Sequence, residues 1–123
     1  MSAPNIVNVT AIYGSTSSVS LTTTSATSLA SNAAASGTVY KIDSIVVANT
    51  SASAANITIN IYSAAALGGT AFPIASTISV PANASLIIVD KTTTFYLLEN
   101  QSIGATAGTS TALVVTSSWE QLS

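Results

Sequence analysis

An all-β fold, two antiparallel sheets packed as a β-sandwich, is what this sequence predicts, and three observations predict it. Short runs rich in Val, Ile, Thr and aromatic residues recur along the chain, with Gly, Pro, Asn or Ser punctuating them at roughly ten-residue intervals. Apolar residues alternate with period two, as in Ile57, Ile59 and Ile61 against Thr58, Asn60 and Tyr62, the spacing of a half-buried strand. No segment carries the helical period; Ala33-Ala34-Ala35 is flanked by Ser and Gly, with no amphipathic continuation. About eight strands are expected, for which a jelly roll is the natural form; an immunoglobulin-like sandwich, differing in strand order, is the alternative. The connections are too short for parallel crossovers.

The strongest signal lies at residues 38–62. Residues 38–48 form one β-branched and aromatic run, residues 49–55 a polar break, and residues 56–62 a second run. A strand, a turn and a second strand are expected here, paired as a β-hairpin with the isoleucine row facing a core. Before it, residues 5–13 read as a first strand ended by Gly14-Ser15. Residues 16–36 are mostly Ser, Thr and Ala, relieved by Val19, Leu21 and Leu29. They fit two weak strands, at 19–23 and 27–30, a poorly ordered polar arm, or an arm that orders only against a neighbour. The chain is accordingly divided into an N-terminal arm with the first strands, 1–37, and a sandwich body, 38–123, within a single domain.

After the central pair, Gly68-Gly69 marks a turn. In residues 72–80, Phe72, Ile74, Ile78 and Val80 share one face, and Pro73, which cannot donate to a ladder, places that strand at an edge or delays its start. Pro81-Ala82-Asn83-Ala84 is a turn, with Pro presetting φ and Asn tolerating left-handed geometry. In residues 85–90 the apolar run Leu86-Ile87-Ile88-Val89 is continuous, as in a strand buried on both faces. Residues 95–98, 101–106 and 111–119 complete the set.

Composition narrows the function. Ala, Ser and Thr number 21, 21 and 18 of 123 residues, whereas charged residues are 5% and hydrophobic ones 48%, the reverse of a disordered chain. Such small uncharged side chains pack against neighbours with little desolvation cost, which points to assembly. Lys41 and Lys91 are the only cations in a net charge of −2, too few to neutralise phosphates or to dock on an anionic bilayer, so neither nucleic acid nor membrane is an expected partner. Cys and His are absent, which removes disulfides, thiolate metal sites and the commonest general base. The start Met1-Ser2-Ala3-Pro4-Asn5 lacks a basic region followed by an apolar run, so no signal peptide is expected.

The carboxylates Asp43, Asp90, Glu99 and Glu120 are scattered in sequence. A pair meeting in space would suit glycoside cleavage, but Asp43 lies two residues from Lys41 and Asp90 adjoins Lys91, which reads as charge balance on a surface. Hydroxyls are abundant, yet without His or Cys they lack a base, and no Ser-x-x-Lys or glycine-rich phosphate loop occurs. No enzyme, cofactor or metal is therefore expected. The Asn-x-Ser/Thr triplets at Asn8, Asn49, Asn56, Asn83 and Asn100 are what chance gives in so Ser/Thr-rich a chain. Among the aromatic residues most are expected in the core.

Three pieces of the chain resemble small structural proteins of tailed bacteriophages, those of phages infecting marine bacteria and cyanobacteria in particular. They are Val39-Tyr40-Lys41-Ile42 running to Ala48-Asn49, the turn Val80-Pro81-Ala82-Asn83 with the strand after it, and Glu99-Asn100-Gln101-Ser102-Ile103. The resemblance implies a non-enzymatic virion component, foremost a capsid decoration or cement protein on the capsid surface. It would be assembled in the bacterial host cytoplasm, with the major capsid protein as partner and a homotrimer as the state. A tail, neck or fibre component, or a receptor- or glycan-binding module, is the alternative. Under the first reading Ile6, Val9, Ile12, Val19, Leu21 and Leu29 would meet the shell, and Tyr62 and Trp119 would meet other copies.

Overall fold

The structure, a computed structural model, describes residues 7–123. Among these there is no helix, and nine strands form: β1 (Ile12–Leu21), β2 (Thr27–Asn32), β3 (Val39–Asn49), β4 (Ala55–Ala64), β5 (Gly68–Val80), β6 (Ser85–Val89), β7 (Phe95–Leu97), β8 (Gln101–Ala107) and β9 (Leu113–Leu122). They build two antiparallel sheets. Sheet A has the order β1-β9-β3-β6, with β7 also paired to β3; sheet B has the order β2-β8-β4-β5. β6 and β7 lie end to end along β3, at Ile45–Ala48 and Tyr40–Ile42 respectively. Counted as one interrupted strand they leave eight, nested so that first pairs last, second pairs second-to-last, and so inward.

The core is the facing apolar rows of the two sheets. From sheet A come Leu21, Ile42, Ile45, Val47, Val89, Leu113 and Val115; from sheet B come Leu29, Ile57, Ile59, Val80, Ile103 and several alanines. Full burial of an Ile, Leu or Val side chain contributes about 1.5–3 kcal/mol, so the isoleucines of β3 and β4 anchor the fold: Ile57 and Ile59 by their period-two spacing, and Ile42 and Ile45, three apart, because the register shift at Asp43 returns both to the core face.

Four expectations are corrected. The two central strands are no hairpin: β3 belongs to sheet A and β4 to sheet B, and residues 50–54 carry the chain across the sandwich. Asn49 holds that crossing, donating to the carbonyls of Ser53 (2.8 Å) and Val80 (3.0 Å) and accepting from Ser51. The first strand does not stop at Gly14-Ser15, since β1 begins at Ile12 and pairs through both to Leu21; of the expected strand, residues 5 and 6 lie outside the described residues. The run at 85–89 is not buried on both faces, because β6 closes sheet A and leaves Ile87 62% exposed. Phe72, Ile74 and Ile78 are exposed while Val80 is buried, because β5 is an edge strand whose register on β4 shifts three times and whose Thr77 has a φ of 47°. The edge position itself agrees with Pro73. Residues 15–36, read as weak strands or a polar arm, are the bulk of β1 and β2.

Candidate interaction surface

The two outer faces of the sandwich differ. Sheet B's is partly covered by the chain's own β4–β5 turn, which folds back over β8. The Leu67 amide donates to Ser102 Oγ (2.8 Å), the Ala66 amide to Ser31 Oγ (2.9 Å) and the Ala65 amide to Asn100 Oδ1 (3.2 Å). Ser102 Oγ in turn donates to the Ala64 carbonyl at 2.7 Å.

Sheet A's outer face is open. Register aligns Ile12, Gly14, Thr16, Ser18 and Ser20 of β1 with Leu122, Glu120, Ser118, Thr116 and Val114 of β9. These stand beside Val39, Lys41, Ser44, Val46 and Ala48 of β3, and Ile87 and Tyr96 extend the rows. The opposite faces of the same strands carry the core residues, so this set lies on the outer face; Val39 and Leu122 at one end of it are buried, and the rest are half-buried or exposed. At its centre are two cross-strand hydroxyl pairs, Thr16 with Ser118 at 2.9 Å and Ser18 with Thr116 at 3.0 Å. One ion pair lies on this face, Lys41 Nζ to Glu120 Oε2 at 4.0 Å. Both side chains are over a third exposed, so solvent screening leaves the pair little energetic weight. The surface is thus flat, short-chained and nearly free of charge, with Ile12 and Ile87 exposed at its margins.

The residues expected to make contacts separate into groups. Ile6 lies outside the described residues. Val9 is half-buried and Ile12 is 61% exposed on the open face. Leu21 and Leu29 are core residues and Val19 packs against the core, so in the folded chain these three serve the sandwich itself. Tyr62 is half-buried beside Gly104. Trp119 packs against the core with its ring stacked on Tyr40, centroids 6.0 Å apart at 17°. Its Nε1, like Ser117 Oγ two residues earlier, is buried with no partner in the chain.

The carboxylates stay apart. Asp43 sits where the β3 register shifts, Glu120 pairs with Lys41, and Asp90 accepts from the Thr92 hydroxyl (2.6 Å) and amide (2.9 Å) in the β6–β7 turn. These Thr92 bonds hold the fully exposed Asp90 carboxyl below its ordinary value. Glu99 is buried; its Oε2 accepts from the Gly37 amide at 3.2 Å and its Oε1 has no partner. Among the described residues no cluster of three or more acidic groups, and no enclosed pocket, is found. The hydroxyl pairs were hidden in the sequence because their members are about a hundred positions apart; the alternation Thr16, Ser18, Ser20 was the available signal. Nothing local marked the burial of Glu99.

Fold and surface together define, among the described residues, a nine-stranded antiparallel β-sandwich with one largely open sheet face whose only charges are the Lys41–Glu120 pair. No protein-family model and no curated protein matches the chain. Among solved structures it is similar to a subunit of the Bacillus endospore appendages, described as a novel family of disulfide-linked pili. The identity is 17% over 90% of this chain and 86% of that one, with a TM-score of 0.50. That likeness is one of fold. A chain of infectious bursal disease virus, Gx strain, aligns at 13% identity and TM-score 0.42 over 89% of this chain, which spans 33% of the viral one.

Proposed function

We propose that this is a non-enzymatic structural protein of a bacteriophage particle, a decoration protein that binds the outside of an assembled capsid and braces contacts between capsid subunits. One observation carries the reading: the open outer face of sheet A, with its Thr16–Ser118 and Ser18–Thr116 pairs, exposed Ile12 and Ile87, and a lone weak ion pair. A face of that kind loses little hydration when covered, because its central hydroxyls already pair with one another and almost no charge is stripped of water. The strand order supports the jelly-roll form of the sandwich, since the nested pairing of first with last and second with second-to-last is how a jelly roll winds. The scattered carboxylates support the absence of catalysis. The spore-pilus fold is compatible with a structural role, though the linkage in that family's description has no counterpart in a chain without cysteine.

The glycan-binding alternative requires aromatic side chains gathered in a groove. The exposed ones, Tyr13, Phe72 and Tyr96, lie on β1, β5 and β7, with two strands between β1 and β7 and the third in the other sheet, which favours the capsid reading. The test is co-sedimentation of purified protein with expanded capsids of the phage that encodes it, alongside a glycan array. Saturable capsid binding is expected. Glycan binding without capsid binding would overturn the proposal, as would binding to neither.

A further inference from the structure

A sandwich has four strand edges, and this one guards three of them. β2 is short, six residues. The edge of β6 and β7 is broken by the turn that carries Asp90 and Lys91. β5 has Pro73, Thr77 in a left-handed conformation and three register shifts. Short length, charge, Pro and bulges are the devices that keep a sheet edge from pairing with another chain. β1 has none of them. Its ten residues, Ile12 to Leu21, contain no charge and no Pro, and they pair with β9 in unbroken register.

The direction of its free groups can be read. The Leu21 carbonyl accepts from the amide of Thr111, which leads into β9, and just before β1 the Ala11 and Ser123 backbones bond reciprocally, each amide to the other's carbonyl at 3.0 Å. Odd-numbered residues of β1 therefore turn their polar backbone toward β9, and Ile12, Gly14, Thr16, Ser18 and Ser20 turn theirs to the open edge. Tyr13 adds a second clue. It shares the core-side face of β1 with Val19 and Leu21, yet it is 64% exposed.

The geometry points to a pairing of two copies of this chain through their β1 edges, antiparallel about a two-fold axis at Thr16. Antiparallel pairing on that axis sets Gly14 opposite Ser18, Ile12 opposite Ser20 and Tyr13 opposite Val19, each twice. Even-numbered residues meet even-numbered ones, so the outer hydroxyl face continues across the seam and the core-side faces stay aligned. Five even-numbered residues on each strand give about ten backbone hydrogen bonds, the number of an ordinary specific interface. The Tyr13–Val19 contacts are the aromatic and β-branched cross-strand pairs that sheets favour. With no charge on either edge, two-fold symmetry brings no like charges together. This pairing is independent of capsid binding, and it differs from the homotrimer implied by the phage resemblance.

The mass in solution, by light scattering on a size-exclusion column, tests it with the whole chain. The native protein should give twice the 12.2 kDa chain mass, and Thr16→Lys, which sets two ammonium groups face to face on the axis, should give the single mass. Because the chain has no cysteine, Thr16→Cys should join two copies through a short bismaleimide, whereas Ser76→Cys on β5 should not. A native monomer or trimer would overturn the pairing, and so would a dimer that cross-links through position 76 but not 16. Should Thr16→Lys fail to fold, the cross-linking pattern decides alone.

Discussion

Leu67 lies over Gly104: a Cβ built on Gly104 would come within 2.8 Å of Leu67 Cδ2 and 3.0 Å of Tyr62 Cε2. The glycine lets the β4–β5 turn press onto β8; the Leu67 amide is tied to Ser102 Oγ, so an added methyl has to push aside the Leu67 and Tyr62 side chains.

Gly104→Ala should therefore destabilise the fold by about 1–3 kcal/mol, the usual cost of overpacking. Gly14→Ala is the control. Nothing lies within 4 Å of a Cβ there, so the loss of strand flexibility should leave stability unchanged or raise it by about 0.5 kcal/mol. Urea unfolding of the two variants checks both.

Asn49 is buried and makes four hydrogen bonds that stitch the crossing from β3 to β4. Asn49→Ala leaves the Val80 carbonyl and the Ser51 amide short of partners and should cost about 2–3 kcal/mol. Asn49→Asp keeps the shape but removes both donors to Ser53 and Val80 and buries a charge, so its melting temperature should be lower still. A melt of the alanine variant above that of the native chain would refute this account of the crossing.

Asp90 is held below its ordinary value of 3.8, first by the Thr92 hydroxyl. A carboxyl depressed in the folded state contributes stability that is complete above its unfolded pKa and is lost as pH falls through the folded one. The acid window is thus below about 3.8, and Asp90, being fully exposed, contributes weakly. Thr92→Val should move the Asp90 titration upward toward the ordinary value, read from the side-chain carboxyl carbon shift by NMR.

Ile87 is the large apolar side chain at the β6 margin of the open face. If that face meets the capsid, Ile87→Asp should weaken capsid binding at least tenfold, about 1.4 kcal/mol. Its exposure should keep the stability change within about 0.5 kcal/mol. Equal capsid binding by the variant would move the contact to another surface.

Much of the fold was legible because its signal is local. The alternation of Ile57, Ile59 and Ile61, the Pro81-Asn83 turn and the apolar run from Leu113 each carry their structure in neighbouring residues. Partners do not. Ile45 and Ile59 show which face each strand buries, but not that the strands belong to opposite sheets. Burial also depends on position in a sheet: residues 85–89 read as central and sit at an edge, while Phe72 and Ile78, opposite Ile61 and Ile57 of the core-facing row, stay exposed because β5 is the edge of its sheet. β1 was hardest to see, since its strand is specified by pairing with β9, about a hundred residues away, and its own residues are mostly Ser, Thr and Gly. The open face was legible only as composition, because its hydroxyl pairs exist only once β1 and β9 are side by side.

The β4–β5 turn has Ala66 and Leu67 both at positive φ, 56° and 59°, where neither residue has the conformational ease of glycine or asparagine. Beyond two local bonds, Gly68 amide to Ala65 carbonyl and Thr70 amide to Ser63 Oγ, its restraints come from Ser31, Asn100 and Ser102, each 35 positions from the amide it holds. The hairpin can therefore begin to zip locally, but its tip cannot settle until β8 has arrived to receive it. Closure of that turn becomes a late event in folding, coupled to long-range sheet assembly, and softening the turn with Leu67→Gly should speed the early hairpin while leaving the slow docking of β8 in control of the overall rate.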